Sequence, residues 1–77
     1  MTIESRVRRI LSLTLNADIS DGQDLLRDAE AKWDSLKHVE IIFALEDEFG
    51  IQFDEERMAT LTSLRNIVVA VEAYHAA

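Results

Sequence analysis

Three residues with chemistry to offer stand close together at Asp34, Ser35 and His38. Asp and Ser are favoured at a helix N-cap, where a side-chain oxygen accepts a free backbone N–H. Ser35 and His38 are three apart, so on one helix they share a face. A histidine there could act as base to a serine nucleophile. Nothing in the sequence supplies an oxyanion hole, and 77 residues leave little room for a substrate pocket. Metal chemistry has no better footing. The two histidines, His38 and His75, are far apart, and His75 reads as a solvated tail residue. The run Asp54-Glu55-Glu56 lacks the spacing of a calcium loop.

The elements that must position Ser35 follow from the pattern of apolar residues. The chain has no proline and two glycines, Gly22 and Gly50, so an all-helical fold is expected. Ile3, Val7, Ile10, Leu11 and Thr14 fall on one face of a helix over residues 3–15, with Arg6, Arg8 and Arg9 on its remaining surface. A long connection, residues 16–34, is rich in the turn formers Asn16, Asp18, Ser20, Asp21, Gly22 and Asp24. Loops of this length in a compact domain are often functional. Ile19, Leu25 and Leu26 are the residues expected to pin it to the core.

A second helix is expected from Asp34 or Ser35 to Phe49, stopped by Gly50. A short third helix covers residues 54–60, with acids in its first turn where the dipole favours them. The last begins after Thr62 or Ser63 and runs to His75, with Leu64, Ile67, Val68, Val71 and Tyr74 as its stripe. The expected fold is an all-α four-helix bundle, one domain over residues 1–77, with one long and two short connections.

The second helix holds more apolar residues than a core stripe requires. Val39, Ile42, Leu45 and Phe49, with Ile41 beside them, form a core face. Leu36, Glu40, Phe43 and Asp47 share another. That second face is either a docking surface or the filling under the long loop; spacing alone does not separate the two. Glu46 and Glu48 read as a solvated helix edge.

Composition narrows the partners. Fifteen acids against eight basic residues give a formal charge of −7, which repels nucleic acid and anionic membranes and favours proteins with basic patches. With no cysteine there is no disulfide or thiolate site, which suits the cytoplasm. No apolar run approaches a membrane span, and residues 1–10 lack the apolar core of a secretion signal. A cytoplasmic monomer is expected.

Asp34-Ser35-Leu36, then Val39-Glu40, then Ala44-Leu45-Glu46-Asp47-Glu48-Phe49, closely resembles the acyl carrier protein family. The resemblance spans nearly the whole chain. It includes the Ile10-Leu11 pair, the long loop, the acids after the second helix and the valine-rich last helix. It implies that the chain is a carrier and not an enzyme. By it, Ser35 receives 4′-phosphopantetheine from coenzyme A through a phosphopantetheinyl transferase that uses magnesium. The thiol of the arm then holds an acyl group as a thioester. Asp34 would cap the helix and touch the transferase. Leu36, Glu40, Phe43 and Asp47 would meet acyl-loading and acyl-processing enzymes through basic docking patches. Fatty-acid carriers commonly have glycine where this chain has Trp33. That tryptophan is more similar to carriers of polyketide, modified-lipid or aminoacyl pathways, and its ring is expected to anchor the loop. An aminoacyl carrier and an unmodified helical interaction module are the alternatives.

Overall fold

A computed structural model describes residues 2–76. Its helices are α1 (Ile3–Leu15), α2 (Ser35–Phe49), α3 (Glu55–Thr60) and α4 (Leu64–Ala76). Each start has a local cause. Thr2 caps α1 by accepting the Ser5 N–H, and Asp54 caps α3 by accepting that of Arg57. Ser63 Oγ accepts the Asn66 N–H in the first turn of α4. Two helices end on residues in left-handed geometry: Asn16 (φ 51°) after α1 and Gly50 (φ 65°) after α2. Glycine takes that conformation without the steric cost a Cβ imposes.

α1 packs against both α2 and α4. Val7, Leu11 and Leu15 meet Ile41, Ile42, Leu45 and Phe49 from α2 and Leu64, Ile67, Val68 and Val71 from α4 in one core. Ile51, Phe53 and Leu61 close it from the α3 side. The chain has no cysteine, so no disulfide supports this packing.

The long connection is far from loose. Within it lie a single 3₁₀ turn, Arg27–Ala29, and an isolated antiparallel bridge between Leu26 and Ser63. Arg27 N–H donates to the Thr62 carbonyl, and Leu64 N–H donates to that of Leu25. Asp24 Oδ1 accepts the Arg65 N–H, a second cap on α4 supplied from elsewhere in the chain. Gly22 (φ 81°) makes the tight turn before it.

Arg8 overturns its expected place on the surface. It is 6% exposed. Its guanidinium donates to the Ser20 and Gln23 carbonyls at 3.1 and 3.0 Å and pairs with Glu4 at 3.3 Å. A buried guanidinium is tolerated only when its donors are satisfied, and the turning loop backbone supplies carbonyls that no helix or sheet has claimed. Ile19 and Leu25 pack on the core as expected, but Leu26 stays exposed; it faces Ser63 in the bridge, whose two hydrogen bonds run between the flanking residues. Tyr74 also leaves the expected stripe. It is half exposed near the end of α4, its ring edge-on to Phe53 at 6.5 Å.

Candidate functional site

Ser35 is the first residue of α2 and is exposed. Asp34, in extended geometry, accepts the Lys37 N–H on Oδ1 at 2.8 Å, and its carbonyl accepts the His38 N–H. The first four N–H groups of a helix have no partner inside it. Asp34 Oδ1 claims that of Lys37 and leaves those of Ser35 and Leu36. A hydroxyl beside two unclaimed N–H groups, at the positive end of a fifteen-residue helix, is a fit place for a phosphodiester. Among the described residues, Ser35 Oγ makes no hydrogen bond, so a group attached there displaces no internal contact.

What holds this end of α2 in place is an aromatic lock. Trp33 is 3% exposed, so its ring anchors the loop end as expected. Its Nε1–H donates to His38 Nδ1 at 3.0 Å, and the two rings stack at 6.0 Å with 29° between their planes. With Nδ1 accepting, the neutral imidazole carries its proton on Nε2. That proton points at the Met58 carbonyl, 2.8 Å away in α3. One imidazole thus ties the loop before Ser35, the first turns of α2, and α3.

The lock decides the role of His38. Both ring nitrogens are engaged, so neither is free to activate Ser35, and the serine–histidine nucleophile reading falls. The same ring corrects the expected core face of α2. His38, Ile41, Ile42, Leu45 and Phe49 are the buried residues, and Val39 faces solvent. The stripe 38, 41, 42, 45, 49 is as regular as the one expected, but a histidine is easily read as polar surface. Arg8 shares a helix face with Leu11 and Leu15 at i+3 and i+7, which is the signal in the sequence for its inward place.

The second face of α2 is free. Leu36 is 70% exposed and Phe43 64%, so neither fills space under the loop. With Val39, Glu40 and Asp47, all exposed, they make one outward stripe of apolar and acidic residues. Lys37 pairs with Glu40 at 3.2 Å beside it. Glu46 and Glu48 turn out to be structural. Glu46 accepts the Phe53 N–H at 2.8 Å and fixes the turn after α2. Glu48 pairs with Arg6 of α1 at 2.8 Å, while the same guanidinium lies 4.5 Å from the Phe49 ring. His75 is exposed, with its ring edge toward Phe49 at 6.0 Å. No helix among the described residues is long and apolar enough to cross a membrane.

Comparison with known proteins agrees with this geometry. The family model described as the phosphopantetheine attachment site matches residues 5–71. Acyl carrier protein 3 of Ralstonia nicotianae is 33% identical over 75 residues, covering 94% of this chain and 84% of that protein. The match takes in the loop, the capped serine and all of α2 and α3. The chain belongs to the acyl carrier protein family, as a carrier of covalently attached 4′-phosphopantetheine and not an enzyme.

Proposed function

We propose that Ser35 bears the phosphopantetheine arm and that this chain, acting as one domain over residues 1–77, shuttles thioester-bound acyl intermediates between biosynthetic enzymes. In loading, the Ser35 oxygen bonds to the phosphorus of coenzyme A nearest the pantetheine. The pyrophosphate bond breaks and the adenosine bisphosphate leaves. The serine proton passes to a base of the transferase, since both ring nitrogens of His38 are engaged. The observation that carries the reading is the exposed Ser35 hydroxyl beside the two N–H groups that Asp34 leaves unclaimed. When attached, the arm supplies a thiol; the chain's own residues hold its phosphate end at the start of α2.

The outward stripe of α2 is the surface that partners read. Leu36 and Phe43 provide apolar contact, while Glu40 and Asp47 select basic patches and set the rate and orientation of docking. Asp34 adds contact with the transferase. The cargo is an acyl group of a fatty-acid, polyketide or related pathway. Trp33 in place of glycine supports a specialised one. The setting is the cytoplasm, alongside the coenzyme A that loading consumes.

The test is intact mass after incubation with coenzyme A, magnesium and a broad-specificity phosphopantetheinyl transferase. The native protein gains one phosphopantetheinyl group and Ser35→Ala gains none. A gain in the folded mutant moves the arm elsewhere. No gain in the folded native protein, across several transferases, sinks the assignment.

A further inference from the structure

The outward side of α1 is the electrostatic opposite of the α2 stripe. Of the three arginines of α1, in a chain of net charge −7, Arg8 is buried and Arg6 pairs with Glu48, so the outward charge is that of Arg9 with the partly exposed Arg6. Arg6, Arg9, Ile10 and Leu13 lie at i, i+3, i+4 and i+7 on one face. Leu13 is 72% exposed. Arg9 is exposed and makes no ion pair among the described residues. Together with Glu48, these four line a shallow groove of about 310 Å³. Ile10 is half-buried and packs on the core with its inner side, while Leu13 lies beyond the core that Val7, Leu11 and Leu15 fill.

From this pairing of surfaces we infer a weak contact between copies: the α1 face of one carrier receives the α2 stripe of another. Each half supplies what the other lacks. Ile10 and Leu13 offer an apolar groove to Phe43 and Leu36, and Arg9 offers an unpaired cation to Glu40 or Asp47. The net charge opposes association at long range. At physiological salt, repulsion between exposed charges is screened beyond about 8 Å, so the patches in contact decide. Two different patches meet, so the contact is heterologous and leaves a free patch at each end. The chain is a monomer in dilute solution and associates head to tail as its concentration rises. Where it does, the α2 stripe is covered, so crowded carriers withhold themselves from partner enzymes.

The contact uses the same stripe as the proposed docking surface but does not depend on Ser35. The experiment is therefore run on unmodified protein, with Ser35→Ala as a control that associates like the native chain. Sedimentation equilibrium and amide shifts are followed up to about 1 mM, the weak end of affinities worth measuring. Shifts are expected together at residues 6–13 and 36–47, fading in high salt. Arg9→Glu removes the association, and so does the pair Glu40→Lys with Asp47→Lys. Mixing those two variants restores a 1:1 complex, because each keeps the patch the other has lost. Glu55→Lys with Glu56→Lys makes the same change in net charge on α3 and leaves the amide pattern of association in place. Absence of concentration dependence overturns the inference. Association that survives Arg9→Glu, or a mixture that stays monomeric, overturns it equally.

Discussion

On the inward face of α2, Ile41, Ile42, Leu45 and Phe49 are buried in the core shared with α1 and α4, whereas on the outward face Leu36, Val39 and Phe43 stand in solvent. The residue types are nearly the same on both sides. Their energetic roles differ because burial, not residue type, turns apolar area into stability. A helix with one apolar face needs only the first set. The second set is a cost in solubility that the fold itself does not require, which supports the proposed docking role of that face.

Substitutions can break that contrast. Leu45→Ala empties fully buried space and should destabilise the fold by about 2–5 kcal/mol in chemical denaturation. Trp33→Phe keeps most of the ring but removes the donor to His38 Nδ1, and should cost about 1–3 kcal/mol by leaving that nitrogen unpaired. In the same variant, amide exchange in α3 should quicken, because His38 also holds the Met58 carbonyl. Unchanged exchange in α3 would show that the lock does not reach that far. Asp34→Ala removes the cap of α2 and should cost about 1 kcal/mol, while Asp34→Asn keeps a capping oxygen and should cost a few tenths. If Asp34→Asn nonetheless slows loading of the arm, the carboxylate has a role toward the transferase beyond the cap.

The smallest effect on stability belongs to the outward face. Phe43→Ser should stay within about 0.5 kcal/mol of the native protein. Its effect should appear instead as slower turnover of the loaded carrier by a partner enzyme. A loss of stability near that of Leu45→Ala would erase the difference between the two faces. Equal turnover by the partner would remove the functional half of it.

Much of the fold was legible before any coordinates. The helix of residues 3–15, the stop at Gly50 and the short third helix coincide with α1, the end of α2 and α3 to within a residue. Asp34 as cap, and the placing of Ser35 at the helix start, rest on local hydrogen bonding that neighbouring residues fix. Less legible were the residues whose partners are distant in the chain. Arg8, twelve and fifteen residues from the carbonyls it serves, read as surface. His38 read as a possible base for Ser35 until Trp33 and Met58 closed around it. Glu48 read as solvated until Arg6, forty-two residues away, met it.

Sequence by itself thus determined an all-helical chain, its helix boundaries, its acidic balance and a capped serine at the start of α2. All of these depend on residue type and spacing within a few turns. Tertiary structure alone decided which polar side chains are buried, how the long loop is clasped, and which of two apolar faces on α2 stays open. Periodicity says that residues share a face; only the packing of the other helices says whether anything covers it.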